Sequence, residues 1–293
     1  MKTGFIGAGK AGTSLGIYFK SKEIPIAGYY SKSIESSKQA ADFTKSTAFS
    51  DLEELIAKSD MIFITTPDRT IGQVAQTLSE NSSKYDLNGK HLCHLSGSLS
   101  SESLLCASDK CASAHPMIAI SSRKTDLSEA PFTIEGQPET VSILKSMLTK
   151  CGNIVTLIET DKKGSYHCAA SIASNLMVAL AELSINKLQE CGFSRQGALH
   201  LLTPLMKSNI DAVCEKGTEQ ALTGPIERGD EQTIRTHLEG LEGNSKEIYR
   251  LLSLELVDIA REKNKNRNYS ELQELLEEKN EEHSSYIQKG QGR

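Results

Sequence analysis

Lys2-Thr3-Gly4-Phe5-Ile6-Gly7-Ala8-Gly9-Lys10-Ala11-Gly12 opens the chain, a short apolar run that leads straight into a G-x-G-x-x-G motif and then a helical pattern over 10–22. The spacing is that of the first βα turn of a dinucleotide-binding domain. Gly7 makes the tight turn, Gly9 lets the backbone approach a pyrophosphate, and Gly12 lets helix and strand pack closely. The segment Gly7, Ala8, Gly9, Lys10, Ala11, Gly12 is therefore the candidate phosphate cradle, since free amides and the helix dipole at a helix N-terminus favour an anion. Glycines also serve ordinary turns; here the strand before and the helix after give the motif its context.

Outward from this turn, strand and helix patterns alternate. Strands are expected at 3–6, 24–30, 61–65, 90–95, 112–114, 132–134 and 154–157, with helices at 34–43, 51–59, 69–82 and 139–151. Such alternation specifies an α/β fold with a mostly parallel Rossmann-type sheet, whose ligands sit beyond the carboxyl ends of the strands. Near residue 160 the pattern changes to helices: 165–191, 195–214, 218–222, 231–239, 245–262 and 269–282. Two domains follow, 1–160 for the dinucleotide and 161–293, all helical, for substrate and dimerisation. The helix from 165 is so apolar through 176–183 that it should be buried on several sides, in a bundle centre or a subunit interface. The last helix, with Leu272, Leu275 and Leu276 as its only apolar stripe, reads as a solvated outer helix, and 290–293 as a frayed end.

The bulk composition fits an ordinary globular chain. Its 293 residues are 38% hydrophobic and 24% charged with a net charge of −5, so it lacks the broad positive field that nucleic acid or an anionic membrane would need. No apolar run approaches the roughly 18 residues of a membrane helix. The amino end enters a strand without a signal-peptide pattern, which suggests a cytoplasmic protein. Seven scattered cysteines without C-x-x-C spacing suggest neither a disulfide framework nor a zinc site, and read as small core residues.

At the end of the second strand, where an acid about 20 positions on would hold an NAD ribose, the chain offers Tyr30-Ser31-Lys32-Ser33. A lysine between hydroxyls suits a 2′-phosphate, so NADP(H) is favoured, although Ser33 can equally cap the next helix. Thr65, Thr66 and Pro67 follow the third expected strand, where they can touch ribose or nicotinamide; Pro67 also suits a helix start.

His94-Leu95-Ser96-Gly97-Ser98 and Ala114-His115-Pro116-Met117 converge on the same rim. Ser96 is a candidate for both cofactor and substrate. His115 could donate to a substrate carboxylate or carbonyl, or be a loop histidine before a turn proline. Lys163, His167, Ser171 and Asn175 recur at i, i+4, i+8 and i+12 on the apolar helix. Such a stripe either finds neighbouring partners or lines a cleft, where Asn175 would orient a carbonyl and His167 deliver the proton that accompanies hydride transfer. Arg228, in Gly224-Pro225-Ile226-Glu227-Arg228-Gly229-Asp230, could grip a carboxylate in a two-pronged contact or merely bridge Glu227 or Asp230.

These segments, together with Ala130-Pro131-Phe132-Thr133-Ile134-Glu135-Gly136 and Tyr166-His167-Cys168-Ala169-Ala170, resemble Rossmann-like proteins that carry a DUF2520 domain. The family is often labelled NADP- or F420-dependent oxidoreductase, and is similar to β-hydroxyacid dehydrogenases, pyrroline-5-carboxylate reductases and ketopantoate reductases. The resemblance implies an NADPH-dependent reductase of a small 2-oxo acid, most specifically ketopantoate to pantoate in pantothenate biosynthesis. It places Asn175 at the superfamily's substrate-binding asparagine. Ser171 stands where a lysine is usual, which makes His167 the substitute proton donor. Lys32 argues against F420. A small carboxylate substrate is implied; the apolar helix suggests a homodimer, and the net charge argues against nucleic acid or membrane as partner. Three other readings stay open: a non-catalytic NADP(H) sensor or assembly subunit, a prephenate-like dehydrogenase, and an imine-acting one.

Overall fold

The structure, a computed structural model, describes residues 1–277. It divides into two compact units, Met1–Met177 and Val178–Arg293.

The first unit is an eight-stranded sheet of order β3-β2-β1-β4-β5-β6-β7-β8. Its strands are β1 (Thr3–Ile6), β2 (Ile26–Tyr30), β3 (Thr47–Phe49), β4 (Met61–Ile64), β5 (His91–His94), β6 (Cys111–Pro116), β7 (Phe132–Gly136) and β8 (Val155–Leu157). The helices are α1 (Lys10–Ser21), α2 (Ile34–Thr44), α3 (Leu52–Ala57), α4 (Asp68–Glu80), α5 (Pro138–Lys150) and α6 (Lys163–Ser171). Every residue of β1, β4 and β5 is buried, as expected of parallel strands covered on both faces. One face packs Phe5, Phe19, Tyr29 and Phe63, with Phe5 stacked 4.8 Å from Tyr29 and 5.6 Å from Phe63 between ring centroids. The other face packs Leu55, Ile62, Ile64, Ile71 and Leu92. The order reverses between β1 and β4, opening a crevice beyond their carboxyl ends.

Two features depart from the sequence expectation. β3 was not anticipated, because a three-residue edge strand has no room for a periodic pattern. β7 runs antiparallel to β6, pairing Ser113 with Glu135 and Pro116 with Phe132, so the connection 117–131 begins and ends on the rim where β4 and β5 end.

Beyond β8, α6 continues through a π-helical turn, Ile172–Leu176, into α7 (Met177–Glu190). The change to helix comes near residue 160, yet residues 161–177 group with the sheet unit, to which Lys163 is tied by buried hydrogen bonds. Leu176, Met177, Val178 and Leu180 are exposed, and Ile185 is the buried residue of α7. Among the described residues the expected burial in a bundle centre is therefore not met, and the alternative, a subunit interface, stands as a proposal. Nor does the expectation of no membrane-length apolar run hold: within Thr160–Glu190 an 18-residue window reaches a hydropathy of 1.6, and 6% of it is buried. The uncharged Ser, His and Asn residues interrupt the apolar run to the eye but lower its mean little. By length and composition alone this helix could cross a membrane; one such helix is weak evidence.

The second unit continues with α8 (Arg195–Ala221), broken at Gly217, then α9 (Pro225–Arg228), α10 (Glu231–Glu239), α11 (Gly243–Lys263) and α12 (Ser270–Glu277). Its core gathers Ile226, Ile234, Val257, Ala260, Tyr269 and Leu272. Leu272, Leu275 and Leu276 are all buried, so α12 is a packed element and not the solvated outer helix expected from its charge. Residues 278–282 of that expected helix, and the tail 290–293, lie outside the described residues. All seven cysteines are free; Cys93, Cys111 and Cys151 are buried, whereas Cys106, Cys168, Cys191 and Cys214 are exposed and are not core residues.

Candidate functional site

The crevice between β1 and β4 holds a cavity of about 540 Å³ lined by Gly7, Ala8, Gly9, Ser31, Lys32, Thr65, Thr66 and Pro67, among others. Gly7 has φ 110°, and a Cβ there would lie 2.8–2.9 Å from the backbone of Thr65 and Thr66, so both conformation and space demand glycine. Thr65 Oγ1 donates to the Gly7 carbonyl at 2.8 Å and pins the turn. A Cβ on Gly9 would meet nothing within 4 Å, leaving this turn open to a ligand, and Gly9 is the N-cap of α1. Gly12 faces Thr65 Oγ1 and the Gly7 carbonyl, which is helix-to-strand packing. Lys10, Ala11 and Gly12 do not line the cavity.

Three observations fit a dinucleotide. The open turn stands at a helix N-terminus. Thr66 Oγ1 is buried without a hydrogen-bond partner among the described residues, a deficit that a ligand polar group would cure. Among the described residues no Asp or Glu lines the cavity, whereas Lys32 and Arg123 do. Ser33 is a correction: its Oγ accepts from Ser36 N at 3.3 Å and caps α2, and Ser36, one turn on, lines the cavity instead.

Next to this cavity the loop after β5 builds a polar centre. Ser96 Oγ donates to Asp68 Oδ2 at 2.5 Å and accepts from Ser98 N and Leu99 N at 3.3 and 3.0 Å. The Ser96 hydroxyl thus secures the turn, its single proton committed to Asp68, and it does not line the cofactor cavity. Both expected roles of Ser96, cofactor contact and a free donor for a carboxylate, are corrected on these grounds. His94 Nδ1 accepts from Ser96 N at 3.2 Å and its Nε2 faces the Ser100 carbonyl at 3.1 Å. Burial lowers its pKa to about 4 and keeps it neutral.

Gly97 is the meeting point of two imidazoles. A Cβ there would lie 2.6 Å from His167 Cδ2 and 2.9 Å from His115 Nε2. The two rings stand edge to face, 6.3 Å between centroids. Their distant segments thus meet at one glycine. His115 Nδ1 lies 2.8 Å from Tyr166 Oη. Burial, with Lys163 and His167 adding to it, pushes the His115 pKa down to about 4, so the ring is neutral near pH 7. If Tyr166 donates to Nδ1 rather than to Met117 Sδ, which lies 3.8 Å from its hydroxyl, Nε2 carries the proton on the side of the Gly97 turn.

Behind the turn Lys163 is buried, as is Glu135 on β7. Lys163 Nζ donates to the Ser96 carbonyl at 2.8 Å and to Ser113 Oγ, with Glu135 at 3.7 Å. Glu135 also accepts from Ser101 N at 2.8 Å, Ser101 Oγ at 2.7 Å and Thr160 Oγ1 at 3.1 Å. Burial lowers the Lys163 pKa and Glu135 opposes the shift. The first member of the expected polar stripe therefore faces the sheet. Ser171 closes α6 half-buried, and Asn175 is exposed within the π-helical turn. That turn carries an extra residue per turn, which breaks the i, i+4 register between them; such turns recur at functional sites.

Arg228 ends α9 in the second unit, exposed and without an ion pair among the described residues. Glu227 Oε1 accepts from Asn264 at 2.9 Å; Asp230 caps α10 through Thr233 N at 3.1 Å, and the nearby Arg228 charge adds to the lowering of its pKa. Sequence reasoning did not single out Glu135, Tyr166 or Arg123. The acid at Glu135, alone in the strand Phe132–Gly136, was the one legible signal among them.

Comparison with known proteins agrees with this architecture. Residues 1–85 match the oxidoreductase family, NAD-binding Rossmann fold, and residues 130–256 match the domain of unknown function DUF2520. No curated protein matches the chain. Among solved structures, a Thermotoga maritima protein is 27% identical, with a TM-score of 0.73 over 89% of this chain and 99% of that one. A candidate NADP oxidoreductase from Bacteroides fragilis is 24% identical, with a TM-score of 0.69 over 88% and 98%. A Plasmodium falciparum pyrroline carboxylate reductase with NADP bound shares the fold at 19% identity, with a TM-score of 0.60 over 90% and 97%. The amino end of the chain is thus similar to the NAD-binding Rossmann fold of an oxidoreductase family, and the part beyond it to DUF2520.

Proposed function

We propose that the protein is an NADP(H)-dependent reductase of small 2-oxo acids, with ketopantoate the first substrate to try. The observation that carries this reading is the meeting of His115 and His167 at Gly97, one loop away from the dinucleotide cavity. Gly7, Ala8 and Gly9 would hold the pyrophosphate, Lys32 and Ser31 the ribose phosphate, and Thr65, Thr66 and Pro67 the nicotinamide side. The bound nicotinamide supplies a hydride.

This chain's own residues do the rest. Neutral His115 offers Nε2–H to a carbonyl oxygen, and His167, more exposed, delivers the proton to the oxygen as charge develops there. Asn175 and Ser171 would orient the carbonyl, and the sequence assigns the substrate carboxylate to Arg228. We further propose a cytoplasmic homodimer whose contact includes the exposed apolar row of α7, since contiguous exposed apolar surface marks interaction sites.

Asp68 favours a second reading, reduction of an imine: its carboxylate, hydrogen-bonded to Ser96 and Ser98 beside the Gly97 turn, would favour a positively charged nitrogen over an anionic oxygen. Loss of NADPH absorbance is measured with ketopantoate, a panel of other 2-oxo acids, and cyclic imines, for the protein and for His167→Ala and Arg228→Ala. Oxidation with ketopantoate that collapses in both variants supports the first reading. Turnover of imines alone transfers the proposal to the second.

A further inference from the structure

The connection 117–131 between β6 and β7 doubles back over the first unit's cofactor end. Ser14 Oγ of α1 donates to the Ser122 carbonyl at 3.0 Å, and Ser122 N donates to Thr125 Oγ1 at 3.2 Å. Lys124 Nζ lies 4.7 Å from the centroid of the Phe43 ring on α2. Leu127 is fully buried, and Asn153 Nδ2 holds the carbonyls of Leu127 and Ala130 at 2.9 and 3.0 Å. The segment is anchored along its length.

Arg123 projects from this strap into the lining of the dinucleotide cavity, where, among the described residues, Lys32 is the other cation and there is no carboxylate. The guanidinium donates through one nitrogen to Gln39 of α2, and it has no ion pair among the described residues. Its remaining N–H donors have no protein acceptor among those residues. A charged, half-buried, anchored guanidinium beside a lysine and free of acids is suited to a phosphomonoester, which carries nearly two negative charges and accepts bidentate contacts. The pyrophosphate is already provided for at Gly9 and the N-terminus of α1, so the Lys32–Arg123 pair answers to a different phosphate.

We infer that Arg123, presented by the 117–131 strap, is a specificity-determining residue that reads the ribose 2′-phosphate of the cofactor jointly with Lys32. The inference rests on the NADP(H) reading above. It assigns that selectivity to two segments, the turn after β2 and a loop some ninety residues further along the chain.

The test is the affinity of the full-length protein for NADPH and for NADH, followed by nucleotide fluorescence, with 2′,5′-ADP and 5′-AMP as competitors. Arg123→Ala is expected to weaken NADPH and 2′,5′-ADP at least tenfold while NADH and 5′-AMP change less than twofold. Arg123→Lys should fall between. An unchanged melting temperature shows that the strap still packs. If the unmodified protein prefers NADPH and Arg123→Ala leaves that preference intact, the inference is overturned and the cofactor reading stands. Loss of NADPH and NADH affinity in parallel also overturns it, since Arg123 would then be holding the loop. Equal affinity of the unmodified protein for NADPH and NADH overturns the cofactor reading itself and the inference with it.

Discussion

Lys163 Nζ lies 3.7 Å from Glu135 Oε1, with the two side chains only 4% and 2% exposed. Through them the loop after β5, strands β6 and β7, the 3₁₀ turn at Ser101 and the entry to α6 are joined in one buried polar network. Removing one partner strands the other charge away from water. Lys163→Met is therefore expected to destabilise the protein by about 3–5 kcal/mol, the cost usual for breaking a buried pair. Adding Glu135→Gln should recover part of that loss because the orphaned charge is gone. Urea denaturation of the two variants checks both values.

Gly97→Ala tests the meeting point of the imidazoles. The added methyl would have to displace His167 and His115, which stand 2.6 and 2.9 Å from it. Misplacing reacting groups by about 1 Å can cost 10²-fold in rate, so a fall in kcat of that order is expected with cofactor affinity unchanged. Turnover and a cofactor titration on the same preparation separate these outcomes; a loss of cofactor affinity would show that Gly97 serves the cavity instead.

Two glycines of one motif should fail differently. Gly9→Ala adds a methyl to open space, so its stability should stay within about 0.5 kcal/mol while cofactor affinity falls. Gly12→Val drives its side chain into Thr65 and the Gly7 carbonyl, and overpacking of that kind costs about 1–3 kcal/mol. Thermal melts with and without NADPH distinguish a blocked site from a damaged scaffold.

His94 and His115 both have folded pKa values of about 4, below the ordinary 6.5. Above pH 6.5 neither state holds these protons and the contribution to stability is complete. As pH falls from 6.5 toward 4, the unfolded chain binds a proton at each site that the folded chain refuses, so stability declines. Urea midpoints across that range should fall more steeply for the unmodified protein than for His115→Gln. Equal slopes would mean that His115 is not held neutral by the fold.

Val178, 71% exposed on an uncharged stretch of α7, tests the proposed dimer. Val178→Asp is expected to shift the protein from dimer to monomer in sedimentation velocity at micromolar concentration, because an isolated charge buried in an apolar contact is strongly disfavoured. A monomer before substitution would leave the apolar row to another partner.

The sheet and the phosphate turn were legible because they rest on local signals: apolar runs, G-x-G-x-x-G, and a lysine where an acid would stand. Residues 3–6 and 61–64 were read as strands to within one position, whereas Thr47–Phe49 carries no periodicity and owes its form to pairing with β2. The substrate rim was legible in part. His115 and His167 were named from separate segments, and the structure brings them together. Ser33 and Ser96 had the right chemistry, but a helix N-terminus and Asp68 had prior use of it. Lys163 was placed on a helical stripe from its spacing, yet spacing cannot say which face meets Glu135. The lone acid of its strand marks Glu135, but its partner, like that of Arg123, lies far away in sequence and cannot be named from it.

The antiparallel return of β7 beside β6 gives the protein a modular joint. A crossover connection would carry the chain to the opposite rim, with its length tied to spanning the sheet. The 117–131 hairpin loop has no such obligation, because Pro116 and Phe132 are already neighbours. Length changes among its exposed residues 117–119 need not alter the register of any strand, whereas Leu127 and Ala130 belong to the core and are held by Asn153. The dinucleotide end can thus diverge through a segment outside the 85 residues that match the Rossmann family, while the sheet that carries it stays fixed.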